Sequence, residues 1–211
     1  PTQIGSSTDW KSASAGSNYS MAIKNDGSLW HWGNYAIQTT QNGTSTTVMN
    51  LNSTVPIKLG TAVDWKYVFA GSSSSYAIKN DGSLWAWGYN SSGQLGDSTL
   101  INRETPVRIG NSNDWKVVVA GNNHVLAQKT DGTLWAWGSN WAGQLGIGNY
   151  TFMRSPVKIS NDTDWKIISA RGSNSAAIKN DGTLWAWGYN YYGQLGQNST
   201  TTLNVPTKVG T

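Results

Sequence analysis

A chain of 211 residues with 13 Trp, 9 Tyr and 24 Gly but only 12% charged residues folds as one domain, because disordered chains are poor in aromatics. The absence of Cys excludes a disulfide scaffold and a thiolate metal site, and no apolar run reaches the length of a membrane span. The net charge of +4 is scattered along the chain, which argues against a nucleic-acid partner.

Read from its start, the chain repeats itself. It begins at Pro1, with neither an initiator Met nor a signal peptide, as expected of a processed or excised segment. Asp-Trp-Lys begins at Asp9 and returns at Asp64, Asp114 and Asp164. Leu-Trp-x-Trp-Gly begins at Leu29, Leu84, Leu134 and Leu184, and both series step by 55, 50 and 50. A Pro followed by alternating residues marks Pro1, Pro56, Pro106, Pro156 and Pro206. Unit 1 carries five extra residues between Gly33 and Pro56, placed in one loop.

Each unit predicts four short strands and no helix. In unit 2 the first is 65–70 and the second 76–79. Asn80-Asp81-Gly82 follows as a tight hairpin, expected to be a primed turn. The third is 83–88, with Trp85 and Trp87 on one face and Leu84 and Ala86 on the other. A Gly-rich loop over 89–96 comes next, and the last strand begins at Pro106, where a missing N–H is tolerable. Such a sheet is apolar on both faces and must be covered on each side. Radial stacking achieves this, so the expected fold is all-β, with β-propeller blades of four antiparallel strands repeated four times. A linear β-solenoid is the competing architecture. The blades are placed at about 6–60, 61–110, 111–160 and 161–211 of a single repeat domain, with 1–5 a strand from a preceding or closing blade. Five Pro strands flank four units, so the array is expected to be cut from a longer one or completed by another chain, with both end blades packed against something.

Trp85 to Gly96 reads Trp-Ala-Trp-Gly-Tyr-Asn-Ser-Ser-Gly-Gln-Leu-Gly, with Ala70-Gly71 upstream and Pro106 downstream. Trp135 to Gly146 and Trp185 to Gly196 match it equally well. This pattern resembles the repeat of the regulator of chromosome condensation family, over the whole chain. The resemblance implies a β-propeller, usually of seven blades. Its members include a nucleotide exchange factor, a plant ultraviolet-B receptor, a secreted bacterial β-lactamase inhibitor and bacterial surface proteins, so the fold alone does not choose a function. Unit 1 departs from the pattern: Asn34 to Thr40 follows Gly33 with no Gly-Gln-Leu-Gly, and His31 replaces Ala86, Ala136 and Ala186. Its loop must take another path.

Charge placement speaks against catalysis. Twenty of the 26 charged residues recur in the units and belong to blade construction. Asp97, Glu104, Asp162, Arg103, Arg154 and Arg171 remain, and the neighbours Arg103 and Glu104 read as solvated charges on a loop. A reaction needs a unique constellation, and none is visible. The two His have no second ligand at metal spacing, and the Asn-Asp-Gly turns lack the Asp-x-Asp series of a calcium loop. No metal, cofactor or enzymatic activity is expected.

Antiparallel alternation sends the loops after strands one and three to one end of the propeller, and the Asp-Gly turns and interblade links to the other. At the first end the units differ. Ser91-Ser92 aligns with Trp141-Ala142 and Tyr191-Tyr192, and Tyr89 and Tyr189 align with Ser139. Tyr19, Ser74, His124 and Asn174 align, and Arg171 replaces Gly16, Gly71 and Gly121. Since Ser suffices for the blade at several of these positions, the large residues point to recognition. The expected partner-binding set is Trp141, Tyr189, Tyr191, Tyr192, Tyr89, Tyr19, His124 and Arg171. In a competing reading each aromatic merely covers its neighbour's loop. The leading function is a non-catalytic module that binds a protein through this end. The alternatives are a glycan-binding surface adhesin, a structural or self-assembling segment of a large extracellular protein in contact with further copies or repeats of itself, and a β-lactamase inhibitor. Low charge and abundant Ser, Thr, Asn and Gly suggest an extracellular or bacterial cell-surface location.

Overall fold

The computed structural model describes residues 3–41 and 44–210, with side chains described outside 35–51. Pro1, the first of the five Pro markers, lies outside the described residues, and residues 3–5 carry no strand. Four sheets of four antiparallel strands follow one another along the chain. Blade 1 holds β1 (Trp10–Ala15), β2 (Tyr19–Lys24), β3 (Leu29–Gln41) and β4 (Thr44–Lys58). Blade 2 holds β5 (Trp65–Ala70), β6 (Ser74–Lys79), β7 (Leu84–Gly88) and β8 (Arg103–Arg108). Blade 3 holds β9 (Trp115–Ala120), β10 (His124–Lys129), β11 (Leu134–Gly138) and β12 (Met153–Lys158). Blade 4 holds β13 (Trp165–Arg171), β14 (Asn174–Lys179), β15 (Leu184–Gly188) and β16 (Leu203–Lys208). The chain is a four-blade β-propeller segment. The last strand of blades 2 to 4 begins three residues before its Pro, which sits within an edge strand that can spare a donor.

The first strands lie side by side, and their ends surround one cavity of about 750 Å³ lined by Gly16, Gly71, Gly121 and Arg171, which marks the axis. The core is divided among the three seams between blades. Tyr19, Met21 and Ile23 meet Trp65 and Val68; Tyr76 and Ile78 meet Trp115 and Val118; Leu126 and Leu134 meet Trp165 and Ile168.

The end carrying the Asp-Gly turns is built identically four times. Lys24, Lys79, Lys129 and Lys179 each place the ammonium 4.5–5.0 Å from the centroids of two Trp rings. Each also lies 3.1 Å from the Asp of Asp-Trp-Lys. The two Trp meet edge to face at 5.9–6.0 Å. Ring faces and a carboxylate thus replace the water that the ammonium loses on burial. In the turn, Asp81 Oδ1 accepts from the Ser83 amide (2.9 Å) and hydroxyl (2.6 Å), and Ser83 Oγ accepts from Trp85 Nε1 (2.9 Å). These bonds hold the exposed Asp81 carboxyl below its ordinary value, as their counterparts do for Asp26, Asp131 and Asp181.

Two expectations are corrected. The hairpin is not a primed turn: only Gly82 takes a positive φ (80°), while its amide donates to Lys79 O and the Lys79 amide to Ser83 O. This is a type I turn closed by a glycine bulge, which leaves Asp81 in an ordinary conformation. In unit 1 the extra residues do not form a loop. β3 and β4 run on as a ribbon of 13 and 15 residues, paired from Trp30↔Lys58 to Gln41↔Thr44. Asn42 and Gly43 lie outside the described residues.

Candidate functional site

The Gly-rich loops of blades 2 to 4 share a carboxamide skeleton. Asn140 is buried at its centre: Nδ2 donates to Asn149 O (2.9 Å) and Thr151 O (3.0 Å), and Oδ1 accepts from the Leu145 amide (3.0 Å). Gln144 Oε1 accepts from the Ala142 amide (2.9 Å). Asn90 with Gln94, and Asn190 with Gln194, repeat the arrangement. The loop then clasps the next blade. Gln94 O accepts from Trp137 Nε1 (2.8 Å) and Gln144 O from Trp187 Nε1 (3.0 Å). Gly96 must be glycine, because a Cβ there would sit 2.8 Å from the Trp137 indole nitrogen.

On this fixed skeleton the variable side chains stand clear. Trp141 is 62% exposed, Tyr191 67% and Tyr192 80%. Trp141 meets the half-buried Tyr189 at 5.5 Å, Tyr189 stacks on Tyr191 at 6.5 Å, and Tyr191 and Tyr192 meet edge to face at 5.0 Å. Two loops from neighbouring blades thus make one aromatic ridge. The opposite side of Trp141 walls a groove of about 300 Å³, floored by Ser91 and Ser92 and closed by Leu100, Tyr150 and Phe152. Tyr150 and Phe152 are exposed, and the Arg154 guanidinium lies 5.3 Å from the Phe152 ring. Sequence comparison missed these two aromatics. They lie between the Gly-rich loop and the last strand, where the counterparts of Phe152 are Asn102 and Thr202.

The remaining expected residues lie elsewhere. Tyr19 is a core residue rather than a surface one: its hydroxyl donates to Ser74 O (2.7 Å) and accepts from Ser75 Oγ (3.0 Å) across the seam to blade 2. His124 is likewise buried, with Nε2 2.9 Å from Ser175 Oγ of blade 4, and burial pushes its pKa down to about 4. Both begin a second strand whose alternation carries them to the seam, with Met21 and Ile23 in one case and Leu126 in the other. Tyr89 is half-buried and makes no ring contact among the described residues. Arg171 is exposed but lines the axial cavity, apart from the groove.

Arg103 is not a free solvated charge. Its Nε donates to Asp97 Oδ2 (2.7 Å), and Asp97 Oδ1 accepts from Asn90 Nδ2 (2.9 Å). Burial pushes the Asp97 carboxyl up, but bonds from Thr99 and Arg103 overcome this and leave it below its ordinary value. The pair braces the blade 2 loop. Among the described residues no group of three or more His, Cys, Asp or Glu is placed to hold a metal ion.

A family model described as an RCC1-like domain matches residues 1–211. Among solved structures, the chain is similar to Prp20p from Saccharomyces cerevisiae, with a TM-score of 0.85 and 23% identity, over 100% of this chain and 53% of that one. It is similar to yeast RCC1 (Prp20) in complex with Kap60, at 0.81 and 22%, over 100% and 50%. Human WBSCR16 gives 0.82 and 20%, over 100% and 56%. The chain therefore spans about half the length of these neighbours.

Proposed function

The chain belongs to the RCC1-like domain family, and from that premise we propose that it is a non-catalytic module that binds a protein through the ridge of Trp141, Tyr189, Tyr191 and Tyr192 and the groove beside it. The observation that carries this reading is that three large aromatics stand mostly exposed on a loop skeleton that needs only Ser at the same positions in blade 2. Rigid aromatics lose little entropy on binding and bury much area, which suits them to anchor an interface. The groove would accept an apolar side chain of the partner against Tyr150 and Phe152. Kap60 is bound to yeast RCC1 in one neighbour, and binding to Gsp1p and histones is described for Prp20p. The partners named for these propellers are thus proteins, which supports the coarse reading. We place the module outside the cell or on a bacterial surface because of its low charge and its Ser, Thr, Asn and Gly content.

A photo-crosslinking amino acid at Ser91, on the groove floor, tests the site. It should capture one protein that the same probe at Lys208 does not. Trp141→Ser with Tyr191→Ser should weaken that complex about 30-fold or more. Equal capture from both positions would end the proposal. Glycan-array binding lost in the same variant would move the assignment to a carbohydrate.

A further inference from the structure

The groove beside the ridge is lined by uncharged residues, and one cation stands at its rim. The Gly-rich loops and the stretches that follow them, residues 89–102, 139–152 and 189–202, contain a single carboxylate, Asp97. Its side chain is 6% exposed and is spent on Asn90, Thr99 and Arg103. Arg154 follows the groove residue Phe152 by two positions, on β12. The main chain fixes its place. Arg154 O accepts from the Ser98 amide (2.9 Å), and a Cβ at Gly93 of the blade 2 loop would lie 3.1 Å from Arg154 Cα. Blade 4 makes the same contacts with Asn204, whose O accepts from the Gly148 amide (2.9 Å) and whose Cα would lie 2.6 Å from a Cβ at Gly143. Glu104 holds the position in blade 2. The fold therefore uses the backbone there and leaves the side chain free.

The arginines differ in how they use their donors. Arg103 donates to Asp97 and Thr99, and Arg108 to Asn111 O and Asn113. Arg171 lies at the axis, away from the groove. Arg154 is exposed, and its side chain makes no hydrogen bond or ion pair among the described residues. Its guanidinium is held only against the Phe152 ring, 5.3 Å from the centroid. An aromatic ring beside the planar guanidinium restrains it and leaves its in-plane N–H fork open. That fork matches a carboxylate in a bidentate pair.

We propose that the groove takes an acidic-apolar segment of the partner protein: an apolar side chain enters between Trp141 and Phe152, and a neighbouring Asp or Glu is clamped by the Arg154 guanidinium. The proposal rests on the reading of ridge and groove as a protein-binding site and adds the chemistry of what enters it. Charge favours this occupant. The only carboxylate of the neighbouring loops is turned inward, so a partner's acid meets the Arg154 cation without a competing anion from those loops. Phe152 both closes the groove and carries Arg154, so the apolar and anionic subsites are one ring apart. An extended chain advances about 3.3 Å per residue, which puts the acid within two positions of the apolar residue.

A library of random linear peptides displayed on phage, selected against the whole chain, tests this. Displayed peptides are fused at their C-terminus, so only a side chain can supply the carboxylate. Peptides held by the wild type and not by Trp141→Ser with Tyr191→Ser should carry Asp or Glu within two positions of Leu, Met or Phe. A synthetic, C-terminally amidated copy of the tightest one should bind Arg154→Gln about tenfold or more weakly. Arg154→Glu should recover binding when Lys replaces the acid of the peptide. The Arg154 side chain is exposed and bonds nothing, so both variants should keep the wild-type circular dichroism spectrum. Selected peptides without an acid, or an affinity indifferent to Arg154→Gln, would overturn the proposal and leave the ridge standing as a binding site. Peptides held equally by the Trp141→Ser, Tyr191→Ser variant would end the reading of the ridge itself, and a selection that enriches no peptide would overturn both.

Discussion

The two ends of the propeller segment use the same residue type in opposite ways. At the end of the Asp-Gly turns, Trp is a structural part. Eight of the 13 Trp pair edge to face there around a buried ammonium, the same way in all four blades. At the other end, Trp141 stands on a loop whose buried Asn and Gln are constant and whose exposed residues change from Ser91-Ser92 to Tyr191-Tyr192. Identity between blades marks what the fold requires. Divergence on an unchanged skeleton marks where the fold leaves the chain free to recognise something.

The sharpest test of that contrast uses two Trp four residues apart. Trp137 is fully buried in the seam between blades 2 and 3, and its N–H is spent on Gln94 O. Trp137→Ala should cost about 3–5 kcal/mol in urea unfolding, through the cavity it leaves, while Gln94 O keeps the Tyr76 hydroxyl as a donor. A cost below about 1 kcal/mol would mean that the blades do not depend on the clasp.

His124 gives the next effect, read as a pH dependence. Its folded pKa of about 4 lies below the ordinary 6.5. Above pH 6.5 both states are neutral and the full stability is present. As pH falls toward 4 only the unfolded state takes up the proton, so stability drops, by on the order of 3 kcal/mol in all. His31 is shifted in the same direction by burial. The difference between wild type and His124→Gln isolates His124, measured above pH 4.5 to stay clear of the carboxylates. A surface His124 would give parallel curves.

Asn140 joins the two regions, being invariant in kind yet placed beneath the variable residues. Asn140→Ala strips partners from two carbonyls and one amide and should cost about 2 kcal/mol. It should also release Trp141 from its fixed position, so partner binding falls together with stability. Loss of stability with binding intact would show that the ridge does not depend on its skeleton.

Most of the fold was legible in the residues because the 50-residue period shows each blade repeated, with Trp, Lys and Asp at fixed offsets. The site was legible only in part. Trp141, Tyr191 and Tyr192 stood out because Ser occupies the equivalent loop, but that comparison cannot tell which way a side chain faces. It grouped Tyr19 and His124 with the exposed set, although period-two alternation through Met21 and Leu126 carries them into the seams. Tyr150 and Phe152 went unseen because folding, rather than sequence position, brings them beside Trp141. The unit 1 ribbon was hidden because five inserted residues are as compatible with a longer loop as with two longer strands.

The smallest expected effect concerns the ridge itself. Trp141→Ser, Tyr191→Ser and Tyr192→Ser each place on the loop a residue that blade 2 already carries at 91 and 92. The replaced side chains are 62–80% exposed and rest mainly on one another. Exposed aromatic pairs contribute at the low end of about 0.5–1.5 kcal/mol, so each single change should move stability by no more than about 0.5 kcal/mol. Tyr191 and Tyr192 meet each other at 5.0 Å, and removing both at once deletes that shared contact only once. The triple variant should therefore lose less than the sum of the singles. Urea unfolding of the four proteins measures this directly. A loss above about 2 kcal/mol in the triple variant would make the ridge part of the fold after all, and would take from the binding proposal the observation on which it stands.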